Sequence, residues 1–149
     1  RIFSHMNKTN TEKLLHELLE EAQNLKTRAE RIELFTKHDN FALRTILQLA
    51  HNPKIELDFP EGAPPYKKSE TPEGLEYARL TNVIRPLGQC IKGNNVSSVN
   101  KEQILIRLLE SVDAKDAEII IAAKDKVLHK LYSKVTENLV EKTFPALLK

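Results

Sequence analysis

The 149-residue sequence has no tryptophan, one cysteine and four glycines. The single cysteine, Cys90, excludes an intrachain disulfide framework and fits a reducing compartment. The glycines form neither a G-x-x-x-x-G-K run nor a G-x-G-x-x-G run, which excludes the phosphate loops that those motifs build. No apolar stretch approaches the roughly 20 residues that cross a bilayer, so we expect a cytoplasmic protein without a membrane partner.

The sequence also has little net charge, because 23 basic residues nearly balance 21 acidic ones. This balance excludes the strongly basic coat of proteins that cover nucleic acid. The two signs are nonetheless separated along the chain. Residues 55–76 hold six acids against Lys67 and Lys68, and residues 124–149 hold six lysines against three acids. The charge balance therefore does not exclude a local basic surface.

What the sequence does have is apolar residues at helical spacing, introduced by capping residues. Thr27 and Glu30 are spaced as a capping box, as are Asn100 and Gln103, and Thr136 is expected to cap the last helix. These patterns predict an all-α fold, a single compact bundle of six to eight short helices.

The first five residues are expected to come from an expression tag and not from the protein itself. Ser4-His5-Met6 resembles the remnant of a cleaved expression tag, so residues 1–5 are expected to be such a remnant. We expect residues 6–149 to form one helical domain.

Proline marks the long interruption in the helical pattern, since five of the seven prolines fall within residues 53–72. We expect an extended crossover loop there, packed on the helices by apolar side chains that alternate with acids. A helix is predicted to begin at Thr71 and to be kinked or split at Pro86. The apolar side chains of the loop are Ile55, Leu57 and Phe59.

The residues that usually carry catalysis or metal binding are scattered. Cys90 follows an apolar stripe, which indicates a structural thiol rather than a nucleophile. We predict a non-enzymatic protein with no catalytic residues, metal or cofactor. The sequence does not exclude a catalytic pair of acids that come together only in the fold. The histidines outside the expected tag lack H-x-x-x-H spacing and are His16, His38, His51 and His129.

Lysines are concentrated near the carboxyl end. Lys126, Lys130 and Lys134 step by four and share one face if this segment is a single helix. Together with Lys124 and Arg107, they are the predicted contacts to the phosphates of duplex DNA. The alternative is a lysine-rich solvated surface without a ligand.

The proline-rich segment offers the other predicted site. Tyr66, Lys67 and Lys68 follow its prolines, and we predict that they contact a host or phage protein. In this second hypothesis the chain is a helical adaptor or inhibitor that captures such a partner.

Several phrases of the sequence together resemble one small protein family. Among them are Leu25-Lys26-Thr27-Arg28-x-Glu30, Phe59-Pro60-Glu61-Gly62-Ala63-Pro64-Pro65-Tyr66 and Leu108-Leu109-Glu110-Ser111-Val112. The sequence is similar in these phrases to an uncharacterised family of tailed phages of the T-even type and their marine relatives. The resemblance implies a phage protein in an infected bacterium and brings no activity with it.

The order of phrases also resembles the helical N-terminal DNA-binding domain of T-even phage DNA ligase. That resemblance implies a module that grips duplex DNA by its backbone, mainly across the minor groove. The sequence has no K-x-D-G nucleotide-attachment motif, and His129-Lys130-Leu131-Tyr132 stands where the ligase has a glycine, so ligation is not implied. The matching positions are Lys124, Lys126, Val135, Val140, Phe144, Pro145 and Leu147.

Overall fold

The computed structural model describes residues 13–68 and 80–149. Over these residues the chain forms eight α-helices and two 3₁₀ helices, and its only β-pairing is an isolated bridge, so the predicted all-α class is confirmed. The first four helices are α1 Leu15–Asn24, α2 Arg28–Lys37, α3 Phe41–His51 and α4 Leu80–Val83. The others are α5 Ser98–Ser111, α6 Ala114–Lys124, α7 Leu128–Leu131 and α8 Glu137–Thr143. The 3₁₀ helices are Arg85–Cys90 and Pro145–Leu148.

Side-chain caps set the starts of several helices. The Thr27 hydroxyl accepts the N–H of Glu30 at 3.2 Å, and the Glu30 carboxylate accepts the N–H of Thr27 at 3.1 Å, which confirms the predicted capping box. Thr136 caps α8 as predicted. Helix α5 begins earlier than predicted, because the Ser97 hydroxyl accepts the N–H of Asn100 at 3.2 Å. Asn100 therefore lies in the first turn rather than at the cap.

Helix α3 is the centre of the bundle. It packs against α4, α6, α8 and the second 3₁₀ helix, while α1 packs on α2 and α6. Leu43, Ile46 and Leu47 of α3 are fully buried, as is Ile120 of α6. A central helix that is apolar on most of its surface agrees with burial on several sides.

The chain crosses the bundle as an extended segment over residues 53–68. Leu57 is buried and pairs with Ile91 in the isolated bridge, where the N–H of Asp58 donates to the carbonyl of Cys90 at 2.9 Å. Buried Lys101 of α5 donates to the Asp58 carboxylate at 3.0 Å. These contacts fix the first half of the loop against α5 and the first 3₁₀ helix.

The helical pattern is interrupted at Pro86 as predicted. Helix α4 ends at Val83, and a 3₁₀ helix with Pro86 at its second position follows. Proline has no N–H to continue an α-helix, so the change of helix type at this point has a local cause. The predicted start at Thr71 and the expected tag residues 1–5 lie outside the described residues.

Candidate functional site

Lys124, a predicted phosphate contact, lies inside the fold. Its side chain is 2 % exposed, and its ammonium donates to the Pro60 carbonyl at 2.9 Å and to Asp125 Oδ1 at 2.6 Å. Asp125 also accepts the N–H of Gly62 at 3.0 Å. The ammonium of Lys124, a predicted contact to DNA, is therefore buried and already paired, and it holds the proline-rich loop to the end of α6.

Helix α6 ends in a Schellman turn around Lys126. The N–H of Val127 donates to Ala122 O at 2.8 Å, and the N–H of Lys126 donates to Ala123 O at 3.1 Å. Lys126 has a φ of 60°, the left-handed conformation that glycine usually supplies at this position and that costs other residues about 1 kcal/mol. The condition for a common helical face of Lys126, Lys130 and Lys134 is therefore not met, since α6 ends at Lys124.

The side chain of Lys126 is also used inside the molecule. Its ammonium donates to the carbonyls of Leu49, Asn52 and Ile55 at 2.5, 3.2 and 2.6 Å. Carbonyls at the end of a helix lack intrahelical partners and favour a cation, and Leu49 lies in the last turn of α3 with Asn52 at its C-cap. Burial lowers the pKa of Lys126, and nearby Glu56 opposes that shift. Lys126, another predicted contact to DNA, is therefore a latch that holds the end of α3 and the segment after it to the end of α6.

Lys130 and Lys134 remain exposed. The N–H of Lys134 donates to Gln23 Oε1 at 2.9 Å, which brings it beside the turn between α1 and α2. In the same place the Arg28 guanidinium donates to Asn138. The structure thus groups lysines of the carboxyl-terminal part with cations from the amino-terminal part, a neighbourhood that the sequence did not predict. We call Lys134 and Arg28, together with the exposed Lys130 and Lys26 that lie within four residues of them in the chain, the basic corner.

Arg107 lies elsewhere, on the exposed side of α5. Helix α5 packs on the first 3₁₀ helix and α6, whereas the basic corner is built from α1, α2, α7 and α8. Arg107 lines two adjoining cavities, an apolar one of about 400 Å³ and a polar one of about 550 Å³. We call them together the α5 groove. The walls of the apolar cavity include Pro86, Leu87, Ile104, Leu108 and Ser111.

The predicted partner-binding residues lie close to this groove. The N–H of Lys67 donates to Glu110 Oε2 at 2.8 Å, and Glu110 follows Arg107 by one turn of α5. Lys67 and Lys68 are exposed, while Tyr66 is half-buried against the core. Burial, together with Glu118, raises the pKa of Tyr66. The structure therefore brings Arg107 near residues that the sequence had assigned to a different site.

A buried cluster that the sequence did not signal joins α1 to α6. Both the N–H and the Nδ1 of His16 lie 2.9 Å from Asp116 Oδ1, and Asp113 Oδ1 lies 3.8 Å from the same ring nitrogen. Burial raises the pKa of Asp116, although the interactions with His16 oppose the shift. All three side chains are almost wholly buried, so the cluster fastens two helices and is closed to a substrate in this conformation.

Other chemistry-bearing groups are also structural. Burial raises the pKa of the Cys90 thiol to about 11, which disfavours a thiolate nucleophile. Over residues 13–68 and 80–149 there is no group of three histidine, cysteine or acidic side chains that could hold a metal ion. None of the helices formed by these residues has the length and apolar character needed to cross a bilayer.

Comparison with known proteins adds a family. A model of the family of unknown function DUF6433 matches residues 18–130. The chain belongs to the DUF6433 family. The expectation that the chain belongs to an uncharacterised family is thereby confirmed, and no curated protein matches the sequence.

The DUF6433 match covers one candidate surface entirely and the other in part. It spans the α5 groove, Tyr66 and both internal lysines, and it ends at Lys130. Lys134, which belongs to the basic corner, and Asn138, which accepts from Arg28, lie beyond the match. The two surfaces therefore differ in their relation to the DUF6433 domain as well as in their position on the bundle.

Proposed function

We propose that this DUF6433 protein is a non-enzymatic accessory protein of a tailed phage, and that it binds duplex DNA through the basic corner. The observations that carry the proposal are the contact of exposed Lys134 with Gln23 beside the turn between α1 and α2, and the contact of Arg28 with Asn138 of α8. The resemblance to the DNA-gripping domain of T-even phage ligase supports the same ligand. Lys124, Lys126 and Arg107 have no part in this version of the site.

The mechanism is neutralisation of phosphates by side chains from two distant parts of the chain. Such contacts release counterions, so affinity falls steeply as salt rises. Contacts to phosphates position a protein on the duplex without reading its bases. We therefore expect similar affinities for unrelated duplexes of the same length.

The test is a fluorescence-anisotropy titration of a labelled duplex of about 25 base pairs at two salt concentrations. The double variant K130E/K134E should bind at least about tenfold more weakly than the wild type on every duplex. The matched control is K54E/K92E, which makes the same charge change at exposed lysines of the crossover loop and the turn after Cys90. Absence of binding at low salt, or an equal loss in the control, would contradict the proposal.

A helical adaptor that captures a host or phage protein is the second candidate function. It is favoured by the α5 groove, where an apolar cavity adjoins Arg107 and lies one helical turn from the main chain of Lys67. The double variant K67E/K68E should then lose a cross-linked partner in lysate of infected cells, whereas K54E/K92E should keep it. Equal cross-linking by both variants would count against this candidate at this surface.

A further inference from the structure

We propose that the α5 groove binds an acidic peptide segment of a partner protein, with an apolar side chain in the apolar cavity and a carboxylate on Arg107. The inference deepens the second candidate function and rests on it. It is independent of the basic corner and of DNA binding.

The apolar cavity has the size and lining of a recognition pocket. Its volume of about 400 Å³ lies within the range of small-ligand sites, which are apolar with a few polar groups. Two of the residues that line it, Leu87 and Leu108, are buried, whereas Arg107 is exposed. A single large aliphatic or aromatic side chain is the natural occupant of such a pocket.

The polar cavity extends the groove along α5. It shares Ile104 and Arg107 with the apolar cavity, and most of its other lining side chains are polar, such as Asn100 and Gln103. Val99, at the amino-terminal end of α5, is 66 % exposed and belongs to the same wall. An apolar pocket followed by a line of amides fits an elongated peptide better than a compact small molecule.

The positive charge in and beside the groove favours a peptide with negative charge. Among the described residues, none forms an ion pair or a hydrogen bond with the Arg107 guanidinium. One turn further on, the Glu110 carboxylate already accepts the N–H of Lys67, and the exposed Lys67 and Lys68 add positive charge. An unpaired guanidinium beside a pocket is suited to bidentate binding of a carboxylate. The partner segment should therefore carry Asp or Glu within about one helical turn of its apolar anchor.

The experiment selects random twelve-residue peptides displayed on phage against the full chain and against R107E. The wild type should select peptides with Leu, Ile, Met or Phe and an acid nearby. Fluorescence polarisation of the selected synthetic peptides should show affinity about tenfold weaker for R107E and nearly unchanged for the control K92E. Replacing the peptide acid by lysine should restore binding to R107E and abolish it for the wild type.

A second variant tests the pocket itself. S111F places a large side chain at the wall of the apolar cavity and should abolish binding of every selected peptide. If the circular dichroism of S111F shows a loss of helix, I104E replaces it as the test, because Ile104 lines both cavities. Both variants act without changing Arg107, so anchor and charge are tested separately.

Each failure has a distinct meaning. Selection of neutral or basic peptides that are sensitive to S111F overturns the acidic partner and leaves partner capture standing. Failure to select any peptide sensitive to either variant overturns both. A dimer that S111F dissociates would identify a second copy of the chain as the occupant of the groove. A tenfold gain in peptide affinity for L75A would identify residues 69–79 of the same chain as the occupant. Either result overturns the proposal.

Discussion

Lys124 and Lys126 differ in their environment from Lys130 and Lys134, although all four belong to one lysine-rich stretch. The first two point into the molecule, where they bind carbonyls of the segment that follows α3, and Lys124 also binds the neighbouring Asp125 carboxylate. The last two are exposed and lie beyond the end of α6. Lys126 lies beyond the end of α6 as well, so tertiary contacts, and not local charge density, decide which of these lysines serves the fold.

The physical basis of the difference is desolvation. An ammonium that leaves water must recover its hydration from protein acceptors, and Lys124 does so with Pro60 and Asp125. An exposed lysine keeps its water and stays available to a phosphate. Substitutions that remove charge without changing side-chain length should therefore separate stability from binding.

K124M should give the largest loss of stability. It leaves the Asp125 carboxylate without its cation and the Pro60 carbonyl without its donor, and breaking a buried pair from one side costs about 3 kcal/mol. Urea denaturation followed by circular dichroism measures the effect. The double variant K124M/D125N removes the stranded charge and should recover part of the loss, so an equal loss in both would contradict the pairing.

K126M should lower the free energy of unfolding by about 2 kcal/mol, because three carbonyls lose a charged donor. The loss is smaller than for K124M, since Lys126 is only partly buried and water can replace it. K126G makes the contribution of the backbone visible. It removes the same donor but relieves the φ of 60°, and it should be about 1 kcal/mol more stable than K126M. An equal stability of K126M and the wild type would show that the latch is not closed in solution.

K130M/K134M should leave the free energy of unfolding unchanged within error and alter DNA binding alone. Each lost phosphate contact lowers the slope of log affinity against log salt by about one, so the double variant should lose about two. K124M should keep the slope of the wild type wherever it is folded. The same slope in K130M/K134M and the wild type would remove both lysines from the proposed site.

Acidification should produce the smallest effect. Burial lowers the pKa of His51 from its ordinary value near 6.5, with Lys126 and His129 adding to the shift and Glu137 opposing it. The unfolded chain then binds a proton before the folded chain does, so stability is complete above about pH 6.5 and declines as the pH falls below it. Urea midpoints between pH 7.5 and pH 5 should fall less in H51F than in the wild type. The wild-type decline should also be smaller in K126M and unchanged in K130M, and equal profiles in all four proteins would exclude His51 as the source.

Sequence reasoning succeeded where the cause is local. The Thr27–Glu30 capping box, the cap at Thr136 and the interruption at Pro86 all depend on residues within one turn of each other. It failed at Lys126, because this lysine adopts the left-handed conformation at a helix end where glycine is the usual residue, and the sequence therefore gives no sign of the end. The reason for that choice is a set of carbonyls more than seventy residues earlier in the chain, which no local pattern reveals.

The candidate sites show the same limit. The separation of Arg107 from the lysines and the contact of Glu110, one turn further on, with the main chain of Lys67 follow from how α5 packs. The pairing of His16 with Asp116 joins positions one hundred residues apart. Neither spacing belongs to a known motif, so only the assembled fold shows which charges are neighbours.

The latch at Lys126 also has a consequence for the order in which the protein folds. Helices α1 to α3 can form from local interactions, but the chain after α3 is tied down by a donor that is 71 to 77 residues away. Closing so long a loop is entropically costly, so this contact belongs to the late, non-local part of folding. Loss of the Lys126 ammonium should therefore accelerate unfolding and leave the refolding rate nearly unchanged. A single side chain would then act on the lifetime of the native state rather than on the route by which it is reached.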